Sequence, residues 1–288
     1  MSAWLLEPLR YAFMQRGFLA ALMVGIVCAV VGTYVVLRGM AFFGDALAHS
    51  ILPGIAVGYL VGGGDRGILF WWSLGTAIVA ALGIGALSRR TQVKEDTAIG
   101  IIFAGAFALG IALISTVRSY SVDLAHFLFG DVLGVSPADL RLMALFGAAI
   151  LFVVFFAYDA FLVVSFDPIF ARTLRLPVGF FDSLLLMLIA VAIVVSLQTV
   201  GVALMVAMLI TPAATAYLLT RRLPAMMGVA ALLASLAGVI GLYLSYYFSV
   251  ASGAAIVLVS TCFFGLAALF APERGWLAAR RRRPSAHT

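Results

Sequence analysis

Charge is scarce in this chain. Only 10% of its 288 residues are charged, and lysine occurs once, at Lys94. Soluble globular proteins carry about 25% charged residues, and no polar stretch here is long enough to build a soluble domain. There is no G-x-x-x-x-G-K-[ST] run, so the chain is not its own P-loop ATPase. H-E-x-x-H and G-x-S-x-G are missing too, which removes a zinc protease of that type and an elbow-type serine hydrolase. Cysteine is limited to Cys28 and Cys262, both inside apolar runs and without metal-ligand spacing. They read as small packing residues, with no disulfide expected.

What is present is hydrocarbon. Hydrophobic residues make up 65% of the chain, and the mean hydropathy is +1.18. The apolar runs are long and continuous rather than alternating, so the expectation is an all-α, polytopic membrane protein and not a barrel. Eight or nine spans fit the pattern, nine being preferred. They are read at 17–37, 42–62, 68–87, 97–117, 140–158, 182–199, 202–219, 225–248 and 251–270. No small-x-small cleavage site follows the first run, so an uncleaved first span is expected. Residues 1–16, with Trp4, Leu5, Leu6 and Phe13 beside Arg10 and Arg16, read as an interfacial segment. Residues 121–135 are too polar and short to span.

The formal net charge of +6 arises from short loops, so it reports orientation rather than nucleic-acid binding. With nine spans and the basic tail (271–288) inside, thirteen of the 18 basic residues fall on the cytoplasmic side and five outside. The positive-inside rule prefers that arrangement, with the amino terminus outside. The tail, RGWLAARRRR, then acts as an anchor on anionic lipid. Glu95 and Asp96 place negative charge at a helix start, where the helix dipole favours it.

Within the second span, FFGDALAHSILPGIAVGYL (42–60) holds Asp45 and His49. Four residues apart on a helix, the two side chains share one face. Ionisable groups are costly in hydrocarbon, so the pair is a candidate functional site. Pro53 removes the helical hydrogen bond to the His49 carbonyl and suggests a third oxygen donor there. Imidazole with carboxylate suits zinc, manganese or iron. One pair is too few ligands, whereas two copies at a two-fold axis would supply four.

Residues Asp167, Pro168, Ile169, Phe170, Ala171, Arg172, Thr173, Leu174, Arg175 and Leu176 read as a short, two-faced helix. Asp167 is its cap, Pro168 its first turn, and Leu176–Pro177 its stop. Such a helix is suited to a partner's groove or to lipid headgroups. Thr211 and Pro212 suggest a kink in the seventh span that lines a path. LPGIAVGYL (52–60) and TPAATAYLL (211–219) echo one another faintly, as broken transporter helices do. His126, with Asp123, Asp131 and Asp139 nearby, reads as exposed polar residues at a turn into the fifth span.

Four segments carry a resemblance: LRGMAFFGDALAHSILPG (37–54), EDTAIGIIFAGAFALGIALIS (95–115), LFGDVLGVSP (128–137) and VGVALMVAMLITPAATAYLL (200–219). In this order and spacing they resemble the permease subunits of ATP-binding-cassette importers for zinc, manganese or iron, over nearly the whole length. The resemblance implies the build of the cobalamin-type (type II) importers and one permease domain over 1–288. It implies a homodimer, two cytosolic ATPases that use the ATP, and an extracytoplasmic metal-binding protein. The metal is then cargo, and no permanently bound cofactor is implied. The setting is a prokaryotic cytoplasmic membrane. Asp45 and His49 would handle metal, and 159–180 would be the coupling segment, with its helix at Asp167–Leu176. Arg175 departs from the family, whose members often carry glycine there. A gradient-driven secondary metal transporter is the alternative, and a membrane enzyme or scaffold a third reading.

Overall fold

Inside a bilayer every backbone N–H and C=O must be satisfied within its own segment, so continuous apolar runs become helices. The computed structural model describes residues 7–63, 65–91, 93–116, 132–271 and Trp276. The helices are α1 (Ala12–Leu37), α2 (Phe43–Ser50), α3 (Leu52–Gly62), α4 (Arg66–Thr91), α5 (Glu95–Ser115) and α6 (Pro137–Phe156). They continue with α7 (Tyr158–Phe166), α8 (Pro168–Thr173), α9 (Val178–Val200), α10 (Val202–Leu219), α11 (Leu223–Phe248) and α12 (Ser252–Phe270). No strand occurs among the described residues. Counting α2 and α3 as one, 9 of them are long and apolar enough to cross a membrane. The preferred count therefore holds for the described residues. His126, Asp123, Asp131, residues 1–6, most of 121–135 and nearly all of the basic tail lie outside them.

Local chemistry sets the helix ends. Ser136 and Asp139 form a capping box at α6: the Asp139 N–H donates to Ser136 Oγ at 3.2 Å, and the Ser136 N–H donates to Asp139 Oδ2 at 3.0 Å. Asp139 is thereby spent on a helix start. One residue, Gly201, divides α9 from α10, at φ 83° and ψ 169°, a region open in practice to glycine alone. At the end of α1, Gly39 is left-handed (φ 70°). There the Gly39 N–H reaches the Val36 carbonyl and the Met40 N–H the Val35 carbonyl, which is the Schellman pattern.

Helices do not gain hydrophobic energy by meeting in lipid, so close backbone approach has to hold them. α1 runs through the centre and packs on α6, α9, α10 and α11. Its Gly32 lies so near α10 that a methyl group would run into the Leu209 carbonyl oxygen. In α3, Gly54, Gly58 and Gly62 recur every four residues and lie against Thr76, Trp72, Leu69 and Ile68 on α4 and its start. α5 closes this second group, and α9 joins the two groups by packing on both α1 and α4.

Two features add to the sequence reading. The stretch between the fifth and sixth spans read above begins within α7, where Phe161 and Val164 are buried. Asp159 sits in its first turn and disguises the apolar run AFLVVSF behind it. α10 is continuous through Pro212, and the Thr215 hydroxyl donates to the Thr211 carbonyl at 2.7 Å. The second span is the one that breaks, at Ile51 between α2 and α3.

Candidate functional site

α2 has only 8 residues, and its two faces differ. Phe43, Ala46 and Leu47 are buried. Gly44 leaves room for Leu209 of α10, since a Cβ there would sit 2.7 Å from Leu209 Cδ2. The other face holds Asp45 in the first turn and His49 in the last. Placing the carboxylate at the N-terminal end suits the helix dipole. His49 Nε2 stands 3.7 Å from Asp45 Oδ1, with the side chains 27% and 41% exposed respectively. This is an ion-pair distance without a direct hydrogen bond. Lone pairs of the carboxylate therefore stay open beside an imidazole nitrogen.

Aromatic rings wall one flank of the pair. On α5, Phe103 and Phe107 lie 6.2 and 5.9 Å from the His49 ring between centroids, and Phe107 meets it edge to face. Phe42, just before α2, packs edge to face on Phe103 at 5.8 Å. These rings shield the imidazole from one side and restrict its rotation. Sequence reading missed them, although their spacing of four within IIFAGAFALG placed both on one face of a helix.

The helix break is real: α2 ends at Ser50, and Ile51 separates it from α3. Pro53 is the second residue of α3, where a missing N–H costs little. Among the described residues, no three His, Cys, Asp or Glu side chains gather as a metal centre. In one chain the candidate site is two side chains on a wall.

One flank of α5 is bare: of its 21 residues only Ala98, Ile99 and Gly110 are buried. Asp45 and His49 thus lie next to a helix whose outer flank this chain leaves uncovered.

A second polar cluster was not anticipated as a unit. Asp182, in the second turn of α9, accepts from Arg38 Nη1 on one oxygen at 2.5 Å and from Arg89 Nη1 on the other. Arg38 Nε also donates to Ser165 Oγ in α7, at 3.3 Å, and Arg89 Nη2 to Ser183 Oγ, at 3.0 Å. Arg38 and Arg89 entered the sequence reading only as orientation charges. An aspartate opening a span, with arginines ending two others, was the available clue.

The short helix α8 lies between α7 and α9. The Asp167 side chain accepts from the N–H groups of Ile169 and Phe170 at 3.0 and 2.8 Å, as a helix cap should. Ala171 is buried, while Ile169 is 75% exposed and Phe170 and Leu174 are each 51% exposed. Arg172, Thr173 and Arg175 are exposed as well. The helix ends sooner than expected, at Thr173, because Arg175 is left-handed at φ 56°. The Leu176 N–H reaches back to the Ala171 carbonyl and the Arg175 N–H to that of Arg172. This repeats the pattern at Gly39, with arginine in the glycine position.

Among the described residues, nine apolar spans, one of them broken beside an acid–imidazole pair, make the architecture of a multi-pass membrane protein. The chain belongs to the ABC 3 transport family, whose profile matches residues 10–271. It is 45% identical over 271 residues to "Manganese transport system membrane protein MntC" of Halalkalibacterium halodurans, covering 94% of this chain and 91% of the relative. It is 40% identical over 274 residues to a "Probable iron transport system membrane protein" of Haemophilus influenzae, covering 95% and 99%. Among solved structures it resembles "PsaBC from Streptococcus pneumoniae in complex with Fab", with TM-score 0.82 and 38% identity, over 97% of this chain and 100% of that one. The family read from the four segments is thus the family of the chain, and its all-helical permease fold is shared.

Proposed function

We propose that this chain is the permease subunit of an ATP-driven importer of divalent transition-metal ions, manganese(II) first, with zinc and iron as related cargo. The observation that carries the reading is the Asp45–His49 pair on a broken helix inside a span. Relatives named for manganese and iron transport support the same class of cargo. A carboxylate with one imidazole binds such ions only loosely when it acts alone, which suits passage rather than storage.

Two copies, related by a two-fold axis, bring two such pairs together, and the bare flank of α5 suits that contact. Transport proceeds by alternating access. A separate cytosolic ATPase grips α8 through Ile169, Phe170 and Leu174, and ATP binding and hydrolysis there move it. The permeases rock, and the paired sites face first the extracytoplasmic binding protein and then the cytosol. The protruding part narrows from 159–180 to Asp167–Leu176, because α7 is packed into the bundle. Orientation follows the arginine count, with the amino terminus outside and α8 in the cytosol. The membrane is the prokaryotic inner membrane, and its lipid is a partner.

The test is manganese(II) uptake into proteoliposomes holding this chain, its ATPase and its binding protein, with and without ATP. Uptake should require ATP and fall at least about tenfold in the double variant Asp45→Ala, His49→Ala, with assembly intact. ATP-driven uptake unchanged in that variant would remove the site, and uptake by the chain without ATPase would favour the gradient-driven transporter.

A further inference from the structure

We infer that the Arg38–Asp182–Arg89 cluster is the rigid link that carries displacement of α8 to the Asp45–His49 helix. This rests on the importer reading above.

Arg38 holds two helices at once. Its guanidinium donates to Ser165, in the last turn of α7, and to Asp182, in the second turn of α9. Those two helices are the arms of the hairpin that carries α8. One side chain therefore ties both arms to the end of α1. The Arg38 and Asp182 side chains are nearly enclosed, at 7% and 12% exposure. Enclosed charges with their hydrogen bonds made do not part readily, because each would be left uncompensated.

The other side of Arg38 leads to the candidate site. Between Arg38 and α2 lie only residues 39–42, and three backbone hydrogen bonds close this turn. The Gly39 N–H bonds the Val36 carbonyl, the Met40 N–H that of Val35, and the Phe43 N–H that of Met40 at 2.9 Å. Met40 is buried. A turn so pinned transmits movement rather than absorbing it. Asp45 follows seven residues after Arg38.

Arg89 extends the link. It ends α4, which packs on α2, α3 and α5, and it holds Asp182 and Ser183 at once. Glu95, at the start of α5, interacts electrostatically with Arg38, Arg89 and Asp182. α5 in turn carries Phe103 and Phe107 against His49. The hairpin is thus joined to the helix bearing the ligand pair and to the helix walling it. Asp182 is a positioning residue; it does not touch metal.

The experiment uses the same proteoliposomes of permease, ATPase and binding protein, and reads manganese(II) taken up per ATP hydrolysed. Two variants are compared, Asp182→Asn and Arg38→Lys; lysine keeps the charge but lacks the fork that spans Ser165 and Asp182. Both should assemble and hydrolyse ATP within about twofold of wild type, with uptake per ATP lowered at least about tenfold. Asp182→Glu should recover most of that ratio. An unchanged ratio in assembled complexes would overturn the inference. So would failed assembly of both variants, which would make the cluster a folding element only. If the wild-type complex itself takes up no metal with ATP, the importer reading fails first, and the inference with it.

Discussion

Arg175 illustrates how much one backbone position decides. A left-handed residue costs an L-amino acid roughly 1–2 kcal/mol, yet the turn after α8 requires it, at φ 56°. The two hydrogen bonds that close the helix, from Arg175 and Leu176, depend on that conformation. Arg175→Gly should therefore stabilise the folded chain, by about 0.5–1 kcal/mol once glycine's extra unfolded-state freedom is subtracted. Thermal unfolding in detergent should show the midpoint raised by roughly 1–3 °C. A lowered midpoint would mean that the Arg175 side chain makes a contact stronger than the strain. From the sequence, Arg175 stood out only as a departure from a resembled family. Its backbone angle was hidden, because left-handed arginine has no local sequence mark.

At the scale of elements, packing is by small residues, and this was only partly readable. Span number, the break near Pro53 and the division at Gly201 followed from hydropathy and helix-breaking residues. The contacts between helices did not, since hydropathy says where a helix lies and not which face meets which. Gly54, Gly58 and Gly62 were visible as a fourfold spacing of glycine, the known mark of close helix approach, yet the segment was read for its proline. Gly32 gave less warning still, because its partner is a backbone carbonyl 177 positions on, at Leu209. Gly32→Ala should destabilise the bundle by ~1–3 kcal/mol or more, because a backbone oxygen cannot swing aside as a side chain can. Gly228→Ala, in α11 with nothing near its would-be Cβ, should be neutral or stabilise slightly, as alanine does in helix interiors. Unfolding of the two variants in mixed detergent micelles separates them, and equal behaviour would sink the packing account. Of the candidate site, Asp45 and His49 were legible by their rarity in hydrocarbon. Asp182 was not, because its meaning depends on arginines 144 and 93 positions away.

At the scale of the molecule, the nine spans among the described residues put the ends of alternate helices on opposite sides of the membrane. Arg222, before α11, and Val250, after it, must then face different compartments. In a chain carrying Cys28→Ser and Cys262→Ser, a membrane-impermeant thiol reagent applied to intact cells should label Val250→Cys and spare Arg222→Cys. The reverse pattern would invert the orientation without changing the fold. The bare flank of α5 has a consequence in genetics. If each conduit is walled by two copies, a cell making both intact and Asp45→Ala chains assembles mixed pairs as well as pure ones. Wherever one damaged wall suffices to stop the ion, transport falls with the square of the intact fraction. A lesion in this chain would then act as a dominant trait, poisoning the healthy copies it joins.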